Sequence, residues 1–294
     1  MKHGVAFLDS RAGCGGARHP RRATAHPDGS PSVRASEFWR LELGLWNLRR
    51  LVALGREMLL VLTMAGMVNA LAVEAPASNE LLYRQLAVGG KDVSTAALDR
   101  VVKNPGAISA AVLYSAVSVA VREKRVEDAG FLFYIARFRA QFDSELFPAV
   151  SQGANSPLTS LSALQQQWGS VINPAVMGSP TTFATVLARV KAWTPAVVEG
   201  YHPGWQYAGR GEEGRARAAM ENTRRQFLES MNGLCTLLQD PTYFAAFRTG
   251  QDYNTLRGAR RPTAQEYQEA MQTMTRIEKE KGIPGIASQA QAKK

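Results

Sequence analysis

The side chains with the greatest chemical potential lie close together in one segment, in and next to GYHPGWQYAGRGEEG at positions 200–214. A carboxylate, an imidazole and three aromatic rings fall within nine positions, at Glu199, Tyr201, His202, Trp205 and Tyr207. Tyrosine and tryptophan are enriched at the energetic centres of protein interfaces, and loops often carry function. We take these five as candidate binding residues. Two interpretations remain open: the rings line a binding surface, or a turn at Pro203-Gly204 lets them pack back onto the helices.

Histidine and cysteine usage argues against most catalytic and metal-binding arrangements. Only one of the four histidines, His202, lies beyond residue 72, and the two cysteines, Cys14 and Cys235, are far apart in the chain. Zinc sites and most acid–base sets need several such side chains that converge. We therefore predict no catalytic residue, no metal and no cofactor, and we interpret Cys235 as a small buried apolar residue.

One fragment favours an enzyme instead. Glu229-Ser230, on a predicted helix, resembles the catalytic Glu-Ser step of lytic transglycosylases, which cleave cell-wall glycan. The resemblance implies a carboxylic acid that acts as a general acid. A cell-envelope hydrolase that acts on peptidoglycan is therefore the alternative function, and a solvated helix face is the competing interpretation of Glu229.

The net charge of +10 does not indicate nucleic-acid binding. Residues 1–72 hold ten of the 35 basic and five of the 25 acidic residues, so they contribute half of that excess. The later charges are interspersed, whereas a nucleic-acid footprint needs a basic stripe or patch. Two pairs within this later part, Arg137/Arg139 and Asp143/Glu145, could bind an anion and a cation respectively, but charges at a helix end are typical of a solvated face. We predict no nucleic-acid partner.

An uncharged apolar run, Met58–Val73, follows three arginines and suggests export. It is shorter than the roughly 20 residues that span a bilayer. Preceding basic residues, a short apolar region and a small-x-small site, here Ala70-Leu71-Ala72, are typical of a secretory signal. We predict cleavage after Ala72 and a periplasmic or secreted product. The alternative is an uncleaved anchor in the inner membrane, which would then be the protein's membrane contact.

This run also sets the predicted domain boundaries. Residues 1–57 are expected to be a disordered extension, or sequence upstream of the true start, that ends in the basic region of the signal. Residues 58–72 are its hydrophobic region. A single helical domain is predicted over 73–282, followed by a disordered tail over 283–294.

Helical periodicity dominates this domain. An apolar pattern over 107–142, interrupted by charges at 122–125, predicts an antiparallel αα-hairpin. The spacing of Ala129, Phe133 and Ala136 resembles the second helix of a tetratricopeptide unit, but the sequence contains no second copy. Asn173-Pro174 is expected to end a helix. We predict an all-α fold, an irregular bundle of about seven or eight helices built from antiparallel αα-hairpins.

These expectations combine into one functional prediction. The sequence favours an exported helical binding protein whose partner is another protein. An inhibitor or immunity-type protein that shields the cell envelope is a specific form of this prediction.

Overall fold

The computed structural model of the protein describes residues 78–255 and 261–291. These residues contain no strand, only an isolated antiparallel bridge between Ala149 and Tyr207. The all-α prediction is confirmed. This part of the chain forms ten helices, where about seven or eight were expected: α1 (Asn79–Val88), α2 (Lys91–Lys103), α3 (Ala110–Arg122), α4 (Val126–Leu146), α5 (Pro157–Met177), α6 (Pro180–Ala192), α7 (Glu213–Leu238), α8 (Pro241–Thr255), α9 (Ala264–Lys281) and α10 (Ile286–Gln291).

The predicted export signal and the extension before it lie outside the described residues. Among the helices of residues 78–255 and 261–291, none is both long enough and apolar enough to cross a membrane.

Helix α4 is the centre of the bundle. Residues 131–135 of this helix are all buried, so apolar side chains leave it in every direction. A helix that is apolar all round must be covered all round, and α3, α5, α6 and α7 pack against it. Helices α3 and α4 form the predicted αα-hairpin. Their turn passes through Lys124, which adopts a left-handed φ of 58°.

Two of the helices begin at capping residues that are visible in the sequence. Ser179 accepts a hydrogen bond from the amide of Thr182, with Pro180 in the first turn of α6. At the start of α9, Thr263 and Glu266 form a reciprocal capping box. Side-chain oxygens at these positions satisfy amides that the helix itself leaves without an acceptor.

The predicted helix end at Asn173-Pro174 is wrong. Helix α5 continues through Pro174 to Met177. A proline removes one amide donor and usually breaks a helix. Here Ile172 and Val176, on either side of it, are both buried in the core. We attribute the continuation to their packing, which compensates for the lost hydrogen bond.

The predicted disordered tail is also wrong over its first part, because residues 286–291 form α10. The carboxylate of Glu278, buried on α9, accepts hydrogen bonds from the amides of Ala287 at 3.0 Å and Ser288 at 2.8 Å. It also accepts one from the Tyr243 hydroxyl at 2.8 Å. Gly285 permits this approach, since a Cβ there would lie 2.3 Å from Glu278 Oε1. A carboxylate at a helix N-terminus satisfies free amides and complements the helix dipole.

Candidate functional site

The five candidate residues lie in the long segment between α6 and α7, which we call loop 193–212. The structure divides them into two groups. Tyr201 and Trp205 are buried and Tyr207 is partly buried, whereas Glu199 and His202 are exposed. Burial alternates from position 201 to 206, with odd positions inward and even positions outward. The three aromatic rings therefore anchor the loop by packing back onto the helices, which is the second of the two interpretations of this segment.

Tyr201 is held by a buried ion pair on α4. Its hydroxyl donates to Asp143 Oδ2 at 2.5 Å and accepts from Arg139 Nε at 3.0 Å. The guanidinium carbon of Arg139 lies 4.1 Å from the centre of the Tyr201 ring. Arg139 and Asp143 are themselves joined, Nε to Oδ1, at 3.0 Å, and neither side chain is exposed at all. We call these three residues the Arg139 cluster.

The same guanidinium reaches two further parts of the backbone. Arg139 Nη1 donates to the carbonyl of Gly106 at 2.8 Å and to that of Ala196 at 2.9 Å. The amide of Ala196 in turn donates to the Gly106 carbonyl at 2.8 Å. One buried arginine thus joins loop 193–212, helix α4 and the turn before α3. Arginine suits this role because its planar fork presents five donors in fixed directions.

Burial dominates the electrostatics of the cluster. Loss of water raises the pKa of Asp143 to about 6, although Arg139 and the Tyr201 hydrogen bond both act to lower it. Burial also raises the pKa of Tyr201, and the neighbouring Asp143 charge adds to that increase. A tyrosine so far from ionisation is suited to hydrogen bonding rather than to proton transfer at neutral pH.

The prediction of a solvated face for the charged pairs is wrong for three of the four residues. Arg137 is 4% exposed, Arg139 and Asp143 are fully buried, and only Glu145 is exposed. The signal that was available is the Arg–Asp pair spaced i, i+4 within a helix whose other residues are mostly apolar. Such spacing allows a direct contact.

Trp205 and Tyr207 tie the second half of the loop to the end of α4. Trp205 Nε1 donates to the carbonyl of Phe147 at 2.9 Å, and the Phe147 and Tyr207 ring centres are 5.0 Å apart. Around the bridge between Ala149 and Tyr207, backbone hydrogen bonds join Val150 to Gln206, Ala208 to Pro148 and Gly211 to Leu146. The loop is therefore fixed along its length.

Exposed residues of the loop lie between these anchors, and the ring centre of His202 is 5.7 Å from that of Tyr207. His202 Nδ1 accepts a hydrogen bond from the Gly204 amide at 3.0 Å, and this contact orients the imidazole. Gly200 and Gly204 both have positive φ, 72° and 99°, which glycine adopts without strain. Val198 is 47% exposed and precedes the exposed Glu199. We call Val198, Glu199, Gly200 and His202 the loop crest.

The enzyme alternative depends on Glu229, which is exposed on α7. Neither of the two cavities whose linings are described, one between α4, α5 and α7 and one between α8 and α9, includes it. Within the described part of the chain, no group of three or more His, Cys, Asp and Glu side chains is placed to hold a metal ion. Cys235 is half-buried rather than fully buried, and desolvation raises the pKa of its thiol.

A second feature was not anticipated from the sequence. A cavity of about 210 Å³ lies between α4, α5 and α7, with Tyr114 of α3 also in its lining, and we call it the α4–α5–α7 cavity. Its described lining combines Arg137 with hydroxyl, amide and aliphatic groups: Tyr114, Ala140, Gln141, Ser144, Leu158, Leu161, Ser162, Gln165 and Thr223. It depends on the relative placement of four helices, and no local pattern encodes that placement.

Comparisons of this chain with protein-family models, with curated proteins and with solved structures find no match.

Proposed function

We propose that this protein is an exported binding protein that recognises a protein partner through the loop crest. The observation that carries the proposal is the fixation of loop 193–212 by the Arg139 cluster and by Trp205. Ordered segments of this length without helix or strand are uncommon in compact domains and are usually functional. A loop that is fixed before binding also loses little conformational entropy when a partner binds.

The start of the loop is held as well. Arg224 on α7 donates to the carbonyl of Trp193, the first residue of the loop, and Arg217 Nη1 contacts the Pro195 carbonyl at 3.4 Å. Two arginines of α7 therefore hold the start of the loop through its backbone carbonyls. The crest therefore faces solvent between anchored positions on either side, and residues 208–212 at the end of the loop are exposed as well.

The crest offers mixed chemistry that suits a protein surface. It carries an exposed aliphatic group at Val198, a carboxylate at Glu199 and an imidazole at His202. With Nδ1 acting as an acceptor, the neutral ring bears its proton on Nε2, which can donate to a partner. Interfaces between proteins typically combine an apolar centre with polar groups at the rim. An inhibitor or immunity-type protein that shields the cell envelope is the specific form we favour.

Export is part of the same proposal. Cleavage after Ala72 would leave α1 intact, because this helix begins at Asn79 and is capped by the Ser78 side chain. Retention of Met58–Val73 as an anchor would leave the crest exposed at the outer face of the inner membrane, and recognition would proceed in the same way.

Site-directed photo-crosslinking in the native host tests the crest directly. A photoreactive amino acid at position 202 should give a discrete protein adduct, whereas the same group at Arg276, exposed on α9, should not. The Glu199→Ala/His202→Ala variant should weaken capture of that partner at least tenfold, and Arg276→Ala/Glu280→Ala should leave it unchanged. If positions 202 and 276 give identical adducts, the crest is not the recognition surface.

A further inference from the structure

The Arg139 cluster holds a carboxylate that loop 193–212 helps to bury. Asp143 on α4 is fully buried, and the loop contacts it through the hydroxyl of Tyr201. The loop also contacts Arg139, through the Tyr201 ring and through the carbonyl of Ala196. Movement of the loop away from α4 would break all of these contacts and expose Asp143 to water.

The hydrogen bonding of Asp143 is incomplete for an ionised carboxylate. Oδ2 accepts from the Tyr201 hydroxyl at 2.5 Å and from Arg139 Nε at 3.1 Å. Oδ1 lies 3.0 Å from the same Nε, but among the described residues no group donates a hydrogen bond to it, and Arg139 Nη2 has no acceptor there. A bidentate ion pair would use two N–H groups in parallel. Here one N–H faces both oxygens, so the guanidinium compensates the carboxylate charge less completely.

Burial in this arrangement favours the neutral acid. Loss of water penalises the charged form of a carboxyl group. In Asp143 this effect outweighs the opposing influence of Arg139 and Tyr201, and the pKa is raised to about 6. An aspartate in water has a pKa of about 3.9. Closure of the loop over Asp143 is therefore accompanied by proton uptake at pH values between these two.

Other charged groups around the cluster come from α4 and α7, while the turn before α3 contributes a backbone carbonyl. Glu145 lies two residues beyond Asp143 on α4 and is exposed. Arg217 on α7 is paired with Glu213 at 3.0 Å, and both side chains are 40% exposed. Arginine keeps its charge throughout the pH range in which proteins fold. Both glutamates remain in contact with water, so closure of the loop should change their ionisation little.

His202 is the remaining ionisable group of the loop that has to be distinguished from Asp143, because histidine changes its charge between pH 5 and 8. Its Nδ1 accepts a hydrogen bond from the Gly204 amide. Protonation of the imidazole in acid would break this contact and loosen the loop. Protonation of Asp143 has the opposite effect, so the sign of the pH dependence separates the two residues.

We infer that closure of loop 193–212 over α4 is linked to protonation of Asp143: the neutral acid favours the closed loop, and ionisation favours its opening. The geometry supplies the reason, since the closed loop removes the carboxylate from water and gives it few hydrogen bonds in return. The inference concerns the loop itself and does not require the loop crest to bind a partner.

Amide hydrogen exchange of the purified protein tests the linkage. The Ala196 amide donates to the Gly106 carbonyl in the closed loop, so its exchange, corrected for the intrinsic effect of pH, reports the open fraction. Carboxyl pKa values of about 3.9 in the open loop and about 6 in the closed loop predict that this fraction rises about 25-fold from pH 4.5 to pH 7.5. The amide of Ala136 on α4 should exchange more slowly, which shows that the opening is local. An open fraction that is constant, or that falls as pH rises, would overturn the inference.

Variants assign the effect to one residue. Asp143→Asn removes the titration, so the change between pH 4.5 and pH 7.5 should shrink to less than about twofold. Glu229→Gln, which neutralises an exposed carboxylate on α7, should retain the full change. A full change in a folded Asp143→Asn protein would assign the linkage to another group and refute the inference.

Because Asp143→Asn alters a buried residue, a measurement on the wild-type protein provides an independent test. Carbon-13 NMR of the Asp143 carboxyl group should show a titration midpoint of about 6. A midpoint of about 4, the value of an exposed aspartate, would show that closure takes up no proton and would exclude the linkage.

Discussion

Replacement of Tyr201 by phenylalanine isolates the contribution of the Arg139 cluster to stability. The variant keeps the ring, and with it the stacking of Arg139 at 4.1 Å, but it loses the hydroxyl. That hydroxyl makes two hydrogen bonds, one to each charged partner, at 2.5 Å and 3.0 Å. Each hydrogen bond to a charged group contributes about 1.5–3 kcal/mol. Because the two bonds share one oxygen, we expect the free energy of unfolding to fall by about 3 kcal/mol at pH 8.

The loss of unfolding free energy in Tyr201→Phe should be larger at high pH than at low pH. The Tyr201 hydrogen bond lowers the pKa of Asp143, which burial holds at about 6, so its removal raises that pKa further. Because the pKa of Asp143 is higher in the folded variant, the variant loses more stability than the wild type as pH rises through about 6. At pH 5, where the folded carboxyl is mostly protonated in both proteins, the cost should be about half of its value at pH 8.

Urea denaturation followed by circular dichroism at pH 5 and pH 8 measures both quantities. Tyr83→Phe is the matched control, since Tyr83 is 41% exposed on α1, and it should change the unfolding free energy by less than about 0.5 kcal/mol. A cost for Tyr201→Phe that is equal at the two pH values would refute the charge-dependent part of the reasoning. A cost no larger than that of the control would refute the cluster as an anchor.

Three further results are expected. Trp205→Phe keeps the buried ring but loses the hydrogen bond to the Phe147 carbonyl, so stability should fall by about 1 kcal/mol and limited proteolysis should cleave loop 193–212 sooner than in the wild type. Glu278→Gln weakens the acceptor for the first amides of α10, and hydrogen exchange should accelerate over residues 286–291 while α4 stays protected. N-terminal sequencing of the exported product should begin at or near Val73; recovery of an intact N-terminus in the cytoplasm would contradict export.

Sequence reasoning succeeded where the signal is local. The all-α class, the αα-hairpin and the caps at Ser179 and Thr263 follow from periodicity and from residues a few positions apart. It failed where the outcome depends on distant residues. Arg139 and Asp143 have an i, i+4 spacing that is common to solvated ion pairs, and their burial involves distant residues: Tyr201, 58 residues beyond Asp143, and the carbonyls of Gly106 and Ala196.

The C-terminal helix and the cavity were missed for related reasons. A helix as short as α10 is unstable in isolation, and it forms here against the Glu278 carboxylate and the core contact of Ala287, which is fully buried. The cavity exists because four helices leave space between them, which periodicity does not report. For the candidate loop, the sequence does not determine which side chains point inward.

The alternation along loop 193–212 has an evolutionary consequence. Inward positions 201, 203 and 205 are constrained by burial, whereas His202 and Gln206 point outward between them. Substitutions at the outward positions leave the anchoring contacts of Tyr201 and Trp205 intact, so they should have little effect on folding. If this loop recognises a partner, its specificity can diverge rapidly among descendants of this protein while the helical scaffold beneath it stays the same.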